Sequence, residues 1–226
     1  MSVQEFYNKN PFPGPYTFDQ LSNYDVTINP YVKVINHYID HKQKVLDVGC
    51  GTGLLTNLFA LRYASGEFQG LDFSTGADYA SDFAKQHSVL NAKFVKQNFF
   101  DYSTTTKFDI IIAQSFITHV SNYIDAVDKI KQLLKPNGIV IIGVYNNWGN
   151  CIKNLLSISY NNKRLELDQT ANPCEIALTH REVLNMFNDY ELLEVTPSIN
   201  NKLVNLANLF NARNGGLTLY VFKGLT

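Results

Sequence analysis

Residues 44–55, KVLDVGCGTGLL, decide how the chain is read. Lys44 to Val48 has the composition of a buried strand, and it breaks into glycines at alternate positions, Gly49, Gly51 and Gly53. Leu54, Leu58 and Leu61 follow at helical spacing, so the stretch opens a strand–turn–helix unit. In an open parallel sheet a ligand sits beyond the carboxyl end of such a strand, where the loop meets a helix N-terminus. The residues around the glycines narrow the ligand. A dinucleotide fingerprint needs a glycine where Leu54 stands, and a phosphate loop needs G-K-[ST] where this chain has GLL. Asp47 at the strand end opposes a pyrophosphate and attracts an ammonium or sulfonium.

The alternation continues outward. EFQGLDF, AKFVKQN, FDIIIAQ and GIVIIGVY are expected strands, separated by a helix from about Thr75 and by NYIDAVDKIKQLLK, where Ile124, Val127, Ile130 and Leu134 share a face. Strands alternating with helices predict a parallel sheet in an α/β fold. THREVLNMFND is a further helix, and YELLEVTP and LTLYVFKG are two last strands with a long connection. Upstream, Asn29 caps a helix that begins at Pro30 and carries Val32, Ile35 and Ile39. Residues 1–26, with Pro11, Pro13 and Pro15, keep no steady period and are expected to form an irregular arm or lid. Residues 27–226 are expected to form one domain, with a substrate-side insertion at 146–178.

The 226 residues are 45% hydrophobic, enough for one sizeable core. Nineteen Lys and Arg against 20 Asp and Glu leave a formal net charge of −1, with no basic cluster to bind nucleic acid. Cys50, Cys151 and Cys174 are odd in number and far apart, which fits free thiols in a reducing cytoplasm rather than a disulfide framework. No apolar run approaches the roughly 20 residues that span a bilayer, so a cytoplasmic protein without membrane insertion is expected. The oligomeric state stays open.

About twenty residues past the glycine turn, GLDFS puts Asp72 at the end of the second strand, where a carboxylate can accept from both ribose hydroxyls. The expected ligand is a nucleoside without phosphates. Taken together, VLDVGCGTG, GLDFS, VKQNFFD, FDIIIAQSFITHV and LLKPNGIVII resemble class I S-adenosylmethionine-dependent methyltransferases, over residues 44–145. The resemblance implies a Rossmann-like, doubly wound α/β fold with a seven-stranded, mostly parallel sheet and an antiparallel last strand. It implies S-adenosylmethionine as cofactor and S-adenosylhomocysteine as product. Gly49, Gly51 and Gly53 would let the backbone approach the cofactor, with Asp47 near its methionine end, Asp72 on the ribose and Phe73 beside the adenine. Asn98 stands where relatives commonly have an aspartate facing the adenine amino group; its amide oxygen can still accept, and the Phe99 backbone can recognise a ring nitrogen. Gln114 would line the methionine side, and no N-P-P-Y-type motif of nucleic-acid amino-methyltransferases follows it.

Methyl transfer asks the protein to align a nucleophile and exclude water, with a base only where the acceptor must lose a proton. His119, in the loop after the fourth strand, is the candidate base, the alternative being a structural hydrogen-bonding histidine. Tyr145 and Trp148 follow the fifth strand, where an acceptor would enter and an aromatic wall could favour an amine, or they are loop packing. Tyr7, Phe12 and Tyr16 close over the cofactor if the arm folds back. His180 is a candidate substrate contact; Glu182 nearby is better explained with Thr179 as a capping box. His37 and His41, four apart on the first core helix, lack the glutamate and third ligand of a metal site. The expected activity is direct in-line methyl transfer to a small molecule. The alternatives are a cofactor-binding regulatory or scaffold protein without turnover, and a nicotinamide-dependent oxidoreductase, which Leu54 and Asp47 disfavour.

Overall fold

The computed structural model describes residues 2–145, 174–197 and 216–225. Seven strands form one sheet: β1 (Lys44–Val48), β2 (Glu67–Asp72), β3 (Ala92–Lys96), β4 (Phe108–Gln114), β5 (Leu134–Tyr145), β6 (Tyr190–Thr196) and β7 (Leu217–Gly224). Their order is β3-β2-β1-β4-β5-β7-β6. The pairs among β1 to β5 are parallel, and β7 runs antiparallel to both β5 and β6. The expected α/β sheet with a reversed last strand is therefore present, with β7 slotted inside the edge formed by β6.

Helices cover both faces: α1 (Val3–Lys9), α2 (Phe18–Ser22), α3 (Pro30–Tyr38), α4 (Leu54–Arg62), α5 (Gly76–Gln86), α6 (Tyr123–Leu133) and α7 (His180–Met186), with a 3₁₀ turn at Ile117–His119. Successive strand residues point to opposite faces, which makes two cores. Leu46, Ile111, Val140 and Ile142 pack with Val127 and Ile130 of α6 and Val183 of α7. Val45, Ile110, Ile112 and Ile141 pack with Ile35 of α3 and Leu58 and Phe59 of α4. The same parity turns Asp47 toward the α3–α4 face, beside the buried run of α4.

Three expectations change. The arm is not wholly irregular: α1 and α2 each begin with a complete capping box, Ser2 with Glu5 and Thr17 with Gln20. On α6 the buried stripe is Ala126, Val127, Ile130 and Leu133, while Ile124 is 51% exposed and Leu134 already belongs to β5. α3 stops at Tyr38, so His41 lies off the helix. His41 packs on Tyr63 and His37 on Tyr38. Among the described residues no group of three His, Cys, Asp or Glu is close enough to hold a metal, and no helix is long and apolar enough to cross a membrane.

Candidate active site

A cavity of about 730 Å³ opens over the carboxyl ends of β1, β2, β3 and β4, within the range of small-molecule sites. Each strand end contributes in turn across the sheet: Asn98 and Phe99 after β3, Asp72 and Phe73 at β2, Asp47, Gly49 and Gly51 at β1, and Gln114, Ser115 and His119 at β4. Neighbouring strands lie roughly 4.8 Å apart, so these four ends offer an elongated trough.

Asp47 is 5% exposed, and its Oδ2 accepts from the Thr56 hydroxyl at 2.7 Å. Burial pushes its carboxyl up to about 7; the Thr56 bond opposes the rise and the nearby Asp72 charge adds to it. Asp72 is tied more fully. Its Oδ2 accepts from the Gly51 N–H at 2.9 Å, and its Oδ1 from the N–H and hydroxyl of Ser74 at 2.8 and 2.6 Å. A carboxylate has about four acceptor sites, so Asp72 braces the glycine turn and keeps capacity toward the cavity. Burial pushes the Cys50 thiol up as well, so that wall residue is a neutral hydrophobe.

The glycines divide their labour differently from the expectation. Gly51 has φ +54°, and a Cβ there would collide with the Phe12 carbonyl oxygen of the arm. Gly53 has φ +76° and caps α4; a Cβ there would strike Ala80 and Phe94. Gly53 is thus demanded by helix–sheet packing and is absent from the cavity wall, whereas Gly49 and Gly51 line it.

The arm is fastened to this turn. Thr52 donates from its N–H to Phe12 O at 2.9 Å and from its hydroxyl to Gly14 O at 3.0 Å. Gln4 donates to Phe73 O, and Asn8 accepts from the Thr75 N–H, both at 2.8 Å. Val3, Tyr7, Phe12 and Pro13 thereby become cavity wall.

At β4, Ser115 has φ +59°, a left-handed conformation that costs a non-glycine residue roughly 1–2 kcal/mol. It turns the chain from Gln114 into the 3₁₀ turn that carries His119. Gln114 Oε1 is buried at the cavity with no hydrogen-bond partner among the described residues. His119 is 9% exposed, and its Nδ1 lies 2.8 Å from the Cys174 carbonyl, which requires the proton on Nδ1. The rings of Tyr7 and Tyr145 flank it at 6.0 and 5.6 Å. Ile176 donates to Thr118 O and Leu178 to Tyr145 O, so the segment leading into α7 is stitched beside this loop; of the insertion expected at 146–178, residues 146–173 lie outside the described residues.

Three expected site residues lie elsewhere. Tyr16 sits behind the glycine turn, donating to Thr52 O at 2.7 Å, accepting from Asn57 and packing on Phe83; burial pushes its phenol up. Tyr145 is 1% exposed and lies behind His119 rather than in the cavity wall. His180 opens α7, stacked on Tyr220 with Nδ1 3.2 Å from its hydroxyl, also outside the wall. Trp148 lies outside the described residues. Glu182 and Thr179 form the capping box of α7. Sequence reasoning missed Thr56 and Ser74, the hydroxyls that hold the two carboxylates, and Tyr24, Asn29 and Val32, which also line the cavity. D-x-S at 72–74 was a readable turn signal; the others depend on tertiary contacts.

With only β7 reversed, a glycine turn that lacks a phosphate loop, and carboxylates on adjacent strand ends, the molecule is of the class that binds a cationic nucleoside. Residues 39–194 match a family described as a methyltransferase domain, and the chain belongs to that family, the class I S-adenosylmethionine-dependent methyltransferases. It is 25% identical over 174 residues to a malonyl-[acyl-carrier protein] O-methyltransferase of Acetivibrio thermocellus, covering 73% of this chain and 59% of that one. It is 27% identical over 158 residues to a mitochondrial ubiquinone biosynthesis O-methyltransferase of Dictyostelium discoideum, covering 64% and 47%. The chain thus spans about half the length of these curated relatives. The N-methyltransferase NodS of Bradyrhizobium japonicum, solved with S-adenosylhomocysteine, shares the fold at a TM-score of 0.66 and 12% identity, over 99% of both chains.

The wall fits the family's cofactor, S-adenosylmethionine, which leaves as S-adenosylhomocysteine. The orphaned Gln114 oxygen is the telling feature, because a buried acceptor left unpaired costs about 1–3 kcal/mol that a ligand amino group would recover.

Proposed function

We propose that the protein transfers a methyl group from S-adenosylmethionine to a small-molecule acceptor by in-line displacement. Asp47 and Asp72, on adjacent strand ends and facing one phosphate-averse cavity, carry this reading. Relatives named for ubiquinone biosynthesis O-methylation and (S)-coclaurine N-methylation support a small-molecule acceptor. When bound, the cofactor supplies a carbon already activated toward attack by its sulfonium.

The remaining work falls to this chain. Asp72 accepts from the ribose hydroxyls, and Phe73 covers the base. Asn98 Oδ1 already accepts from the Phe100 N–H at 3.0 Å, leaving one lone pair for an adenine amino group, with the Phe99 backbone beside it. Gln114 holds the amino-acid end, and the ionised Asp47 favours its positive charge. Tyr7, Phe12 and Pro13 exclude water. His119, with Nδ1–H held by Cys174 O, presents Nε2 as the basic nitrogen that takes a proton from the acceptor.

The test is to incubate the protein with methyl-labelled S-adenosylmethionine and a panel of small hydroxylated and amino compounds, following S-adenosylhomocysteine and labelled product by mass spectrometry. His119→Gln is expected to lower kcat by about 100-fold or more, the scale of general-base catalysis, while leaving cofactor affinity within a few-fold. Cofactor binding with no transfer across the panel would favour the regulatory alternative.

A further inference from the structure

The charge of the cavity wall speaks to the acceptor. Its described wall contains two carboxylates, Asp47 and Asp72, and no Lys or Arg. On the reading proposed above, which this inference rests on, the cofactor brings a zwitterionic amino acid and a sulfonium, one net positive charge. With both carboxylates ionised, the loaded cavity keeps one negative charge without a counter-ion among the described wall residues. One unit charge about 6 Å away, at an effective dielectric of about 20, changes affinity by roughly 100-fold.

At the β4 end the wall carries Phe116, Val120 and His119 among the polar Gln114, Ser115 and Ser121, and the Tyr7 ring lies 6.0 Å from the His119 ring. Tyr24, Val32 and Leu55 line the same cavity, and His119 is the one imidazole in its described wall. Aromatic faces attract an ammonium by their quadrupole, more strongly once water is excluded. An acceptor that is anionic would meet the residual negative charge with nothing in the described wall to balance it.

We propose that the acceptor is a primary or secondary amine on an apolar or aromatic frame, entering as its ammonium ion. The residual negative charge draws it into the cavity, and the aromatic rings beside His119 hold it at the β4 end. Its N–H⁺ gives a proton to His119 Nε2, which frees the nitrogen lone pair. The lone pair then forms the new N–C bond as the C–S bond breaks, the bonding electrons going to sulfur. The methylated product leaves carrying the positive charge that the sulfonium gave up, and His119 returns its proton to solvent.

The test uses three probes that differ only in charge: phenethylamine, 2-phenylethanol and phenylacetate. The full chain is first saturated with S-adenosylhomocysteine, with binding confirmed calorimetrically, and each probe is then titrated into the loaded protein. Phenethylamine is expected to bind at least tenfold tighter than 2-phenylethanol, with phenylacetate weakest, and Asp47→Asn is expected to shrink the preference for the amine by about tenfold. Binding of phenylacetate or 2-phenylethanol as tight as the amine, or no amine binding to loaded protein, overturns the amine assignment while leaving the cofactor reading intact. Failure to bind S-adenosylhomocysteine at all overturns both, and at an earlier step of the same experiment.

Discussion

Asp47 combines burial, one hydroxyl partner and a neighbouring carboxylate, and its proton is therefore poised where the cofactor's charge can displace it. Its folded value of about 7 stands above the ordinary 3.8. Between those two pH values the native state holds a proton that the unfolded chain has lost. Stability of the cofactor-free protein is then greatest, for this group, below about pH 4, and it falls as pH rises toward 7, by up to about 4 kcal/mol. Asp47→Asn removes the penalty. The variant is expected to be more stable than the parent at pH 8 by about 1–3 kcal/mol in urea melts, yet to bind S-adenosylmethionine more weakly. A variant less stable at pH 8 would mean that the charge is satisfied in the free protein. The same proton sets the pH dependence of binding. Below about pH 7 a cationic ligand must expel it, so affinity for S-adenosylmethionine should tighten, approaching tenfold per pH unit, and level off above 7. Calorimetry from pH 5.5 to 8.5 checks this, and a flat profile would contradict it.

At the scale of elements, the arm is held by hydrogen bonds to two of the cofactor loops and by the empty space at Gly51. Gly51→Ala places a Cβ against Phe12 O at a φ that L-residues avoid, which should release the arm. The expected result is faster proteolysis within residues 9–16 and at least tenfold faster cofactor dissociation; an unchanged digestion pattern would show that the arm does not depend on that gap. Sequence periodicity revealed β1, β4 and β5 because each carries an apolar run buried on both faces, while the less buried β2 and β3 were read from the alternation of strands with helices. It did not reveal α1 and α2, whose five to seven residues are too short to show a helical period. Their capping boxes were in plain sight as S-x-x-E and T-x-x-Q. Leu134 and His41 were misplaced for a related reason: each helix ends earlier than expected and loses its C-terminal member.

Across the whole molecule, the motifs at the strand ends were legible because they are local. Gly49, Gly51, Asp47 and Asp72 each sit at a strand-to-loop junction, where the topology itself brings them to one cavity. Tyr16, Tyr145 and His180 were not legible, because an aromatic ring serves equally as cavity wall or as packing, and only tertiary neighbours decide. The Cys174 carbonyl on His119 joins positions 55 residues apart, a contact no spacing rule contains. The reversed β7 followed from family resemblance rather than from pattern, since alternation does not encode strand direction. The central claim is that the trough across β3, β2, β1 and β4 takes a cationic nucleoside and rejects a pyrophosphate. Calorimetric titration of the protein with S-adenosylmethionine, S-adenosylhomocysteine and NAD tests it most directly. The expected result is one-to-one micromolar binding of the first two and no heat from NAD; binding of NAD without S-adenosylmethionine would contradict it.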